Sequence, residues 1–216
     1  VPYNVVKEGI MPRYIYPPRP KSVISPQQLP HEESRGCWHW QHKFNGDRCP
    51  VIIEVTASDR RVTLCNRHGK FLHAQKFPKL RRELSSTNLL LPHGTHYLDG
   101  ELLSETETLV LFDVLQLSKY LIGSTQEERL AMLETICGNP TEPCQAQIAL
   151  SVSEHIWMSR HGDRDLVQHY NEYIDNPLIE GLVLRQKGST LDNWGASEYE
   201  VDWQLRCRKG SKNYRF

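Results

Sequence analysis

The chain has 216 residues, with 38% hydrophobic and 24% charged side chains, enough to bury one large core or two small ones. Its 26 Lys+Arg balance 26 Asp+Glu, so no global field draws it to a polyanion, and local patches would have to do so. No apolar run approaches the roughly 20 residues that span a bilayer, and the first residues lack a signal-peptide core, so no membrane association is expected. The six cysteines include no CxxC pair, which fits free thiols in a reducing, intracellular compartment.

Residues 1–36 are rich in proline ("YIYPPRPKS", "SPQQLPHEES") and predict an extended arm with little regular structure, packed on or leading into a domain over 37–216. Strands are expected at "GCWHWQH", "PVIIEVT" and "RRVTLCNR". Cys37, His39 and His42 share a CxHxxH spacing, but no CxxC completes a zinc set, and a strand with alternating faces explains them. "PKLRRELSS" predicts a short helix with Pro78 in its first turn.

"THYLDGELL" and "TLVLFDVLQL" predict two more strands. Within the first, Asp-Gly is a turn signal, and "LDGEL" alone reads as a hairpin. In the alternative, a continuous strand, Asp99 and Glu101 share a face, and Gly100 lets a ligand approach. Phe112 suits either core or base stacking. Asp113, among leucines, needs a partner if buried. "STQEERLAMLETIC" is the clearest helix: Ser124 and Thr125 each precede a glutamate by three, Leu130, Leu133 and Ile136 or Cys137 form the apolar stripe, and Gly138 and Pro140 end it. "NPTEPCQAQ" predicts a surface loop and "DRDLVQHYNEYI" a second helix.

"EGLVLR" places Glu180 before a buried strand that ends in Arg185. "VDWQLRCR" predicts a last strand with Arg206 and Arg208 on one face, followed by Lys209, Lys212 and Arg215, a set suited to phosphate oxygens or to a solvated tail. Strands outnumber helices, so the class is α+β with a largely antiparallel sheet.

One segment asks for chemistry. "HKFNGDRC" sets Lys43 beside a tight turn and follows it with Arg48. A lysine acts as a nucleophile only as the neutral amine, and a free lysine has a pKa near 10.4. It therefore needs cations or a metal nearby, carboxylates to place that metal, and an electrophile held beside it.

In chain order, "KFNGDR", "YLDGELL", "LFDVLQL", "EGLVLR" and "LRCRK" resemble five motifs of the covalent nucleotidyltransferase superfamily, which comprises ATP-dependent DNA ligases, RNA ligases and mRNA capping enzymes. The likeness covers residues 38 to the end and is nearest the adenylylation domain of ATP-dependent DNA ligases. It extends to "VTLCNRHGKFLHAQKFPKL" and to "LFDVLQLSKYLIGSTQEERLAMLE". It implies an ATP-grasp-like α+β fold, with largely antiparallel sheets and flanking helices around a nucleotide cleft.

The resemblance further implies that Lys43 attacks the α-phosphate of ATP, with Asn45 and Arg48 in the catalytic set. Arg48 and Glu101 would hold the ribose, Phe112 would stack on adenine, and Gln41 would contact the base. His42, Arg67, Arg185, Arg206 and Arg208 would complete the nucleotide site, with Asp99 and Glu180 on Mg2+ or Mn2+. The partner implied is nicked double-stranded DNA, or RNA, bound by a monomer in the nucleus, the cytoplasm or a virus- or phage-infected cell. A GTP-dependent capping enzyme, an RNA ligase and a non-catalytic nucleotide-binding module are the alternatives. Three departures stand out: Asn45 occupies the usual aspartate position, arginines replace the lysines of the last motif, and the C-terminal OB-fold domain that the resemblance implies is expected to be absent from this sequence.

Overall fold

The computed structural model describes residues 13–210. Its elements run β1 (Arg19–Ile24), α1 (Leu29–Ser34), β2 (Trp38–Phe44), β3 (Asp47–Arg48), β4 (Val51–Val55), β5 (Arg60–Leu64), α2 (Pro78–Ser85), β6 (Gly94–Leu103), β7 (Thr108–Leu117) and β8 (Lys119–Tyr120). They continue α3 (Gln126–Ile136), β9 (Ala149–Ser151), β10 (Ile156–Ser159), β11 (His161–Gly162), α4 (Leu166–Tyr173), β12 (Ile179–Gln186) and β13 (Glu200–Arg208). Two sheets result, so the class is α+β, as expected. A five-stranded sheet has the order β1-β13-β12-β2-β11, and an eight-stranded sheet runs β5-β4-β6-β7-β10-β9 with β3 on β6 and β8 on β7. Pairing is antiparallel except for β1 with β13 and β10 with β7.

Alternation along β2 explains why it sits between two environments. Trp38, Trp40, His42 and Phe44 face one way, where Trp40 and His42 meet His169 and Tyr173 of α4. Trp38 and Trp40 pack with Leu29, Leu166, Tyr170, Leu182 and Leu184 into one core beneath the five-stranded sheet. Each such side chain contributes roughly 1.5–3 kcal/mol on burial. Gln41 and Lys43 face the other way, toward the second sheet. The larger core lies on the eight-stranded sheet under α2 and α3, built from Ile52, Leu64, Leu80, Leu84, Leu98, Leu111 and Leu133 among others. The α3 start follows the predicted capping box, with Thr125 as the cap: its hydroxyl accepts from Glu128 N and the Glu128 carboxylate accepts from Thr125 N.

Several expectations change. "LDGEL" is not a hairpin. It lies inside the ten-residue β6, and the chain reverses at 104–107 instead. Gly100 is small because β7 crosses closely there: a Cβ would stand 2.9 Å from Val110 O and 2.9 Å from Leu109 Cδ1. The neighbouring strand, not a ligand, sets that requirement.

The proline-rich arm carries regular structure from residue 19 onward. Its β1 joins the five-stranded sheet in parallel with β13, and Ile24 and Leu29 are buried in its core. Such pairing spans about 180 residues of sequence and leaves no local signature. The loop over 139–147 is not wholly at the surface, because Cys144 packs with Phe44, Ile148 and Ile179. All six cysteines are free. Lys212 and Arg215 lie outside the described residues. No helix among the described residues is long and apolar enough to cross a membrane.

Candidate nucleotide-binding site

A cleft of about 850 Å³ opens between the two sheets. Strands β2, β12 and β13 line one side, and β3, the segment after β5, β6 and β7 line the other. Eight lysines and arginines border it against four carboxylates, so the cleft is locally basic within a neutral chain and suits a polyphosphate.

Lys43 projects from β2 into this space with its Nζ 2.5 Å from Glu180 Oε2. The two meet because β2 pairs antiparallel with β12, with Gly181 opposite Lys43. Gly181 has φ +147°, and a Cβ there would stand 1.9 Å from Cys207 O. Only glycine fits, and the resulting irregularity turns Glu180 toward the cleft. Arg208 Nε lies 3.4 Å from the same Glu180 oxygen. The carboxylate thus sits between two cations, held by three strands.

Arg48 leaves β3 and forms a two-pronged ion pair with Asp99, its Nε donating to Oδ1 at 3.1 Å and its Nη2 to Oδ2. Nη2 also donates to Pro18 O at 3.1 Å. Burial opposes the Arg48 charge, but the Asp99 carboxylate outweighs it and holds the pKa above the usual value. Glu101, opposite Arg48 in the β3–β6 pairing, faces the cleft. Burial pushes its carboxyl up to about 7, against the pull of Lys43 and Arg48 and with help from Asp99 and Glu180.

Phe112 lies between two guanidinium groups, with Arg48 Cζ 5.8 Å and Arg185 Cζ 5.4 Å from its ring centre. Those cation–π contacts fix an aromatic surface on the cleft wall. Arg185 is itself anchored: its Nη1 donates to Phe112 O at 3.3 Å and to Asp113 Oδ2 at 3.2 Å. Asp113 finds its second partner in Arg129 of α3, whose Nε donates to Oδ1 at 3.0 Å. Gln41 Nε2 donates to Phe112 O at 3.0 Å, which directs Oε1 the other way. Among the described residues that buried Oε1 has no hydrogen-bond partner.

The cleft therefore brings together Gln41, Lys43, Arg48, Arg67, Glu101, Phe112, Glu180, Arg185, Arg206 and Arg208, residues separated by up to 167 positions (208 − 41). Three sequence-predicted residues are placed differently. Asp99 is buried behind Arg48, with both oxygens accepting from it, and does not line the cleft. Asn45 is exposed and its amide donates to Pro177 O at 3.3 Å, outside the cleft lining. His42 borders the cleft, but its ring turns to the opposite face of β2, where Nδ1 donates to Ile148 O at 3.0 Å. Burial lowers its pKa to about 4, so it is neutral. His39 and His42 consequently point apart, and the CxHxxH residues do not form a metal set.

Sequence reasoning missed Arg19 and Pro20 of β1, which form part of the wall. It also missed Arg129, whose full burial on a helix was legible only as a polar residue in an amphipathic stretch.

Comparison by sequence finds no matching family model and no matching curated relative. Comparison of structures does find similar folds. The chain superposes on a structure named Pmar-Lig_Pre with a TM-score of 0.61 at 15% identity, covering 90% of this chain and 46% of that one. The ligase domain of M. tuberculosis LigD matches with a TM-score of 0.56 at 18% identity, covering 80% and 55%. A Lig E DNA ligase matches with a TM-score of 0.51 at 14% identity, covering 90% and 70%. The chain spans about half the length of the first two. It has the α+β nucleotidyltransferase fold seen in these ligase structures.

Proposed function

We propose that this chain is the adenylylation unit of an ATP-dependent polynucleotide ligase, with nicked duplex DNA as its substrate. The observation that carries the reading is the meeting of Lys43, Glu180 and Arg208 in a basic cleft with an aromatic wall. The Lys43 amine forms a P–N bond to the α-phosphate of ATP while the Pα–O bond to pyrophosphate breaks. The ammonium loses its proton to water before attack, a loss that the neighbouring arginines and a bound cation would favour; Glu180, 2.5 Å from Nζ, holds the lysine in place. Arg206 and Arg208 stabilise charge that develops on the phosphate oxygens. AMP then passes to a DNA 5′-phosphate, and a 3′-hydroxyl displaces it to seal the nick.

Gln41 favours adenine over guanine. Its buried Oε1 has no partner among the described residues and can only accept, and adenine offers an amino group where guanine offers a second acceptor. Phe112 provides the stacking surface. The cleft carboxylates Glu180 and Glu101, the first close enough to raise the proton affinity of the second, fit a hard divalent cation such as Mg2+ or Mn2+. When bound, that ion would neutralise charge on the departing pyrophosphate.

Intact-mass spectrometry tests the reading. With ATP and Mg2+, a stable AMP adduct is expected on the wild-type chain and none on Lys43→Ala. GTP supplied in parallel should give none. An adduct that survives Lys43→Ala, or label from GTP alone, overturns the assignment. A second reading, a nucleotide-binding module without transfer activity, is favoured by one observation: the Asn45 amide is tethered to Pro177 away from Lys43. ATP binding without any adduct would support it.

A further inference from the structure

Glu83, near the end of α2, faces the turn between β9 and β10, which carries Glu154 and His155. The turn is tight, with Val152 N and Ser153 N both donating to Ile156 O. Glu83 fastens it: its Oε2 accepts from His155 N at 2.9 Å and from Ser153 Oγ. His155 is 8% exposed, and its Nδ1 lies 3.1 Å from Thr106 O. A carbonyl only accepts, so Nδ1 carries the hydrogen and Nε2 of the neutral ring keeps its lone pair.

Nε2 makes no hydrogen bond among the described residues, and Glu154 Oε1 stands 3.7 Å from it. One oxygen of each glutamate and a ring nitrogen of His155 lie within 4.8 Å of one another. Two ligand atoms bound about 2.0–2.1 Å from a tetrahedral ion stand roughly 3.3 Å apart. The 3.7 Å from Nε2 to Glu154 Oε1 needs only a small inward movement, and the Glu154 side chain is 82% exposed and free to make it.

We propose that Glu83, Glu154 and His155 form a divalent metal site selective for zinc over magnesium. One imidazole with two carboxylates suits a borderline ion, whereas Mg2+ prefers oxygen ligands and its own water. The Nδ1–H to carbonyl bond is the arrangement that orients a ligating histidine and makes its other nitrogen more basic. None of the three residues lines the nucleotide cleft, so the site is separate from the proposed adenylylation chemistry and does not depend on it. The ion would clamp α2 to the β9–β10 turn and, through His155, to the turn that ends β6.

The test uses chelator-stripped protein titrated with Zn2+ against a chromophoric chelator, with stoichiometry from native mass spectrometry. One zinc per chain is expected, with no competition from millimolar Mg2+. Glu154→Gln changes an exposed side chain and should fold normally. It should weaken zinc binding by at least about tenfold, the low end of what even an indirect contact to a metal contributes. Glu180→Gln, in the cleft, should leave this binding unchanged. Long-range 1H–15N spectra should show the His155 Nε2 resonance shift when zinc is added. Absence of stoichiometric binding, indifference to Glu154→Gln, or loss only in Glu180→Gln would overturn the proposal.

Discussion

Arg129→Met tests how the aromatic wall of the cleft is held up. Arg129 is wholly buried and meets Asp113, itself 1% exposed, on the far side of the β7 strand that carries Phe112. Asp113 accepts from Arg129, from Arg185 and from Val114 N at 2.9 Å. Burial alone would raise the Asp113 pKa, but the two guanidiniums outweigh it and hold the carboxyl below the usual range. Methionine matches the length of the arginine stem without its charge, so packing changes little and the electrostatic loss dominates.

Removing one partner of a buried ion pair costs about 3–5 kcal/mol. At roughly 2–4 °C per kcal/mol for a chain of this size, Tm should fall by about 6–20 °C. Urea unfolding followed by tryptophan fluorescence measures the loss directly. The acid limb should respond as well. A carboxyl with a depressed folded pKa contributes stability that is present above its unfolded pKa, near 3.8, and lost as pH falls through the folded value. With Arg129 gone the folded pKa rises toward the unfolded one, so this contribution shrinks and the acid limb of the stability curve becomes shallower. A cost below about 1 kcal/mol, as for an exposed pair, would refute the view that this triad supports Phe112 and Arg185.

Other outcomes follow from the same geometry. Glu101 has a folded pKa raised to about 7 from 4.5, so the native state binds the extra proton and stability falls as pH rises from about 4.5 to 7. His42, lowered to about 4 from 6.5, acts oppositely, its contribution being lost as pH falls through that window. In Glu101→Gln the opposing slope is gone and that of His42, together with the likewise lowered His96 and His161, remains, so stability should rise more steeply with pH between about 4 and 6.5 than in wild type; a stability curve identical to wild type in urea titrations across pH would reject the Glu101 assignment. Gly181→Ala must strain a φ of +147° and displace Cys207 O; it should cost at least about 1–3 kcal/mol, and an unchanged unfolding midpoint would contradict the fit described. Asp99→Asn leaves Arg48 with weaker acceptors and should destabilise by about 3 kcal/mol, the low end for a broken buried pair, with partial recovery in the Asp99→Asn, Arg48→Met double variant; strict additivity of the two single changes would mean that the pair does not interact.

What the sequence determined by itself was local. Alternation and apolar runs located β2, β4, β5, β6, β7, β12 and β13, the capping box at Thr125 set the start of α3, and the order of five short motifs named the side chains that meet in the cleft. Period and capping act within a few residues, so they survive in the linear string. Tertiary structure decided the rest. Whether "LDGEL" bends or runs straight depended on β4 and β7 lying on either side of it, and the arm became a strand only because β13 offered it an edge. Asp99 and Glu101 share a strand face in the string, yet one is consumed by Arg48 and the other opens to the cleft. Asn45, in the motif beside Lys43, was drawn out to Pro177. Hydrogen-bond partners of buried charges come from distant segments, and only the folded chain assigns which carboxylate is spent on structure and which remains for chemistry.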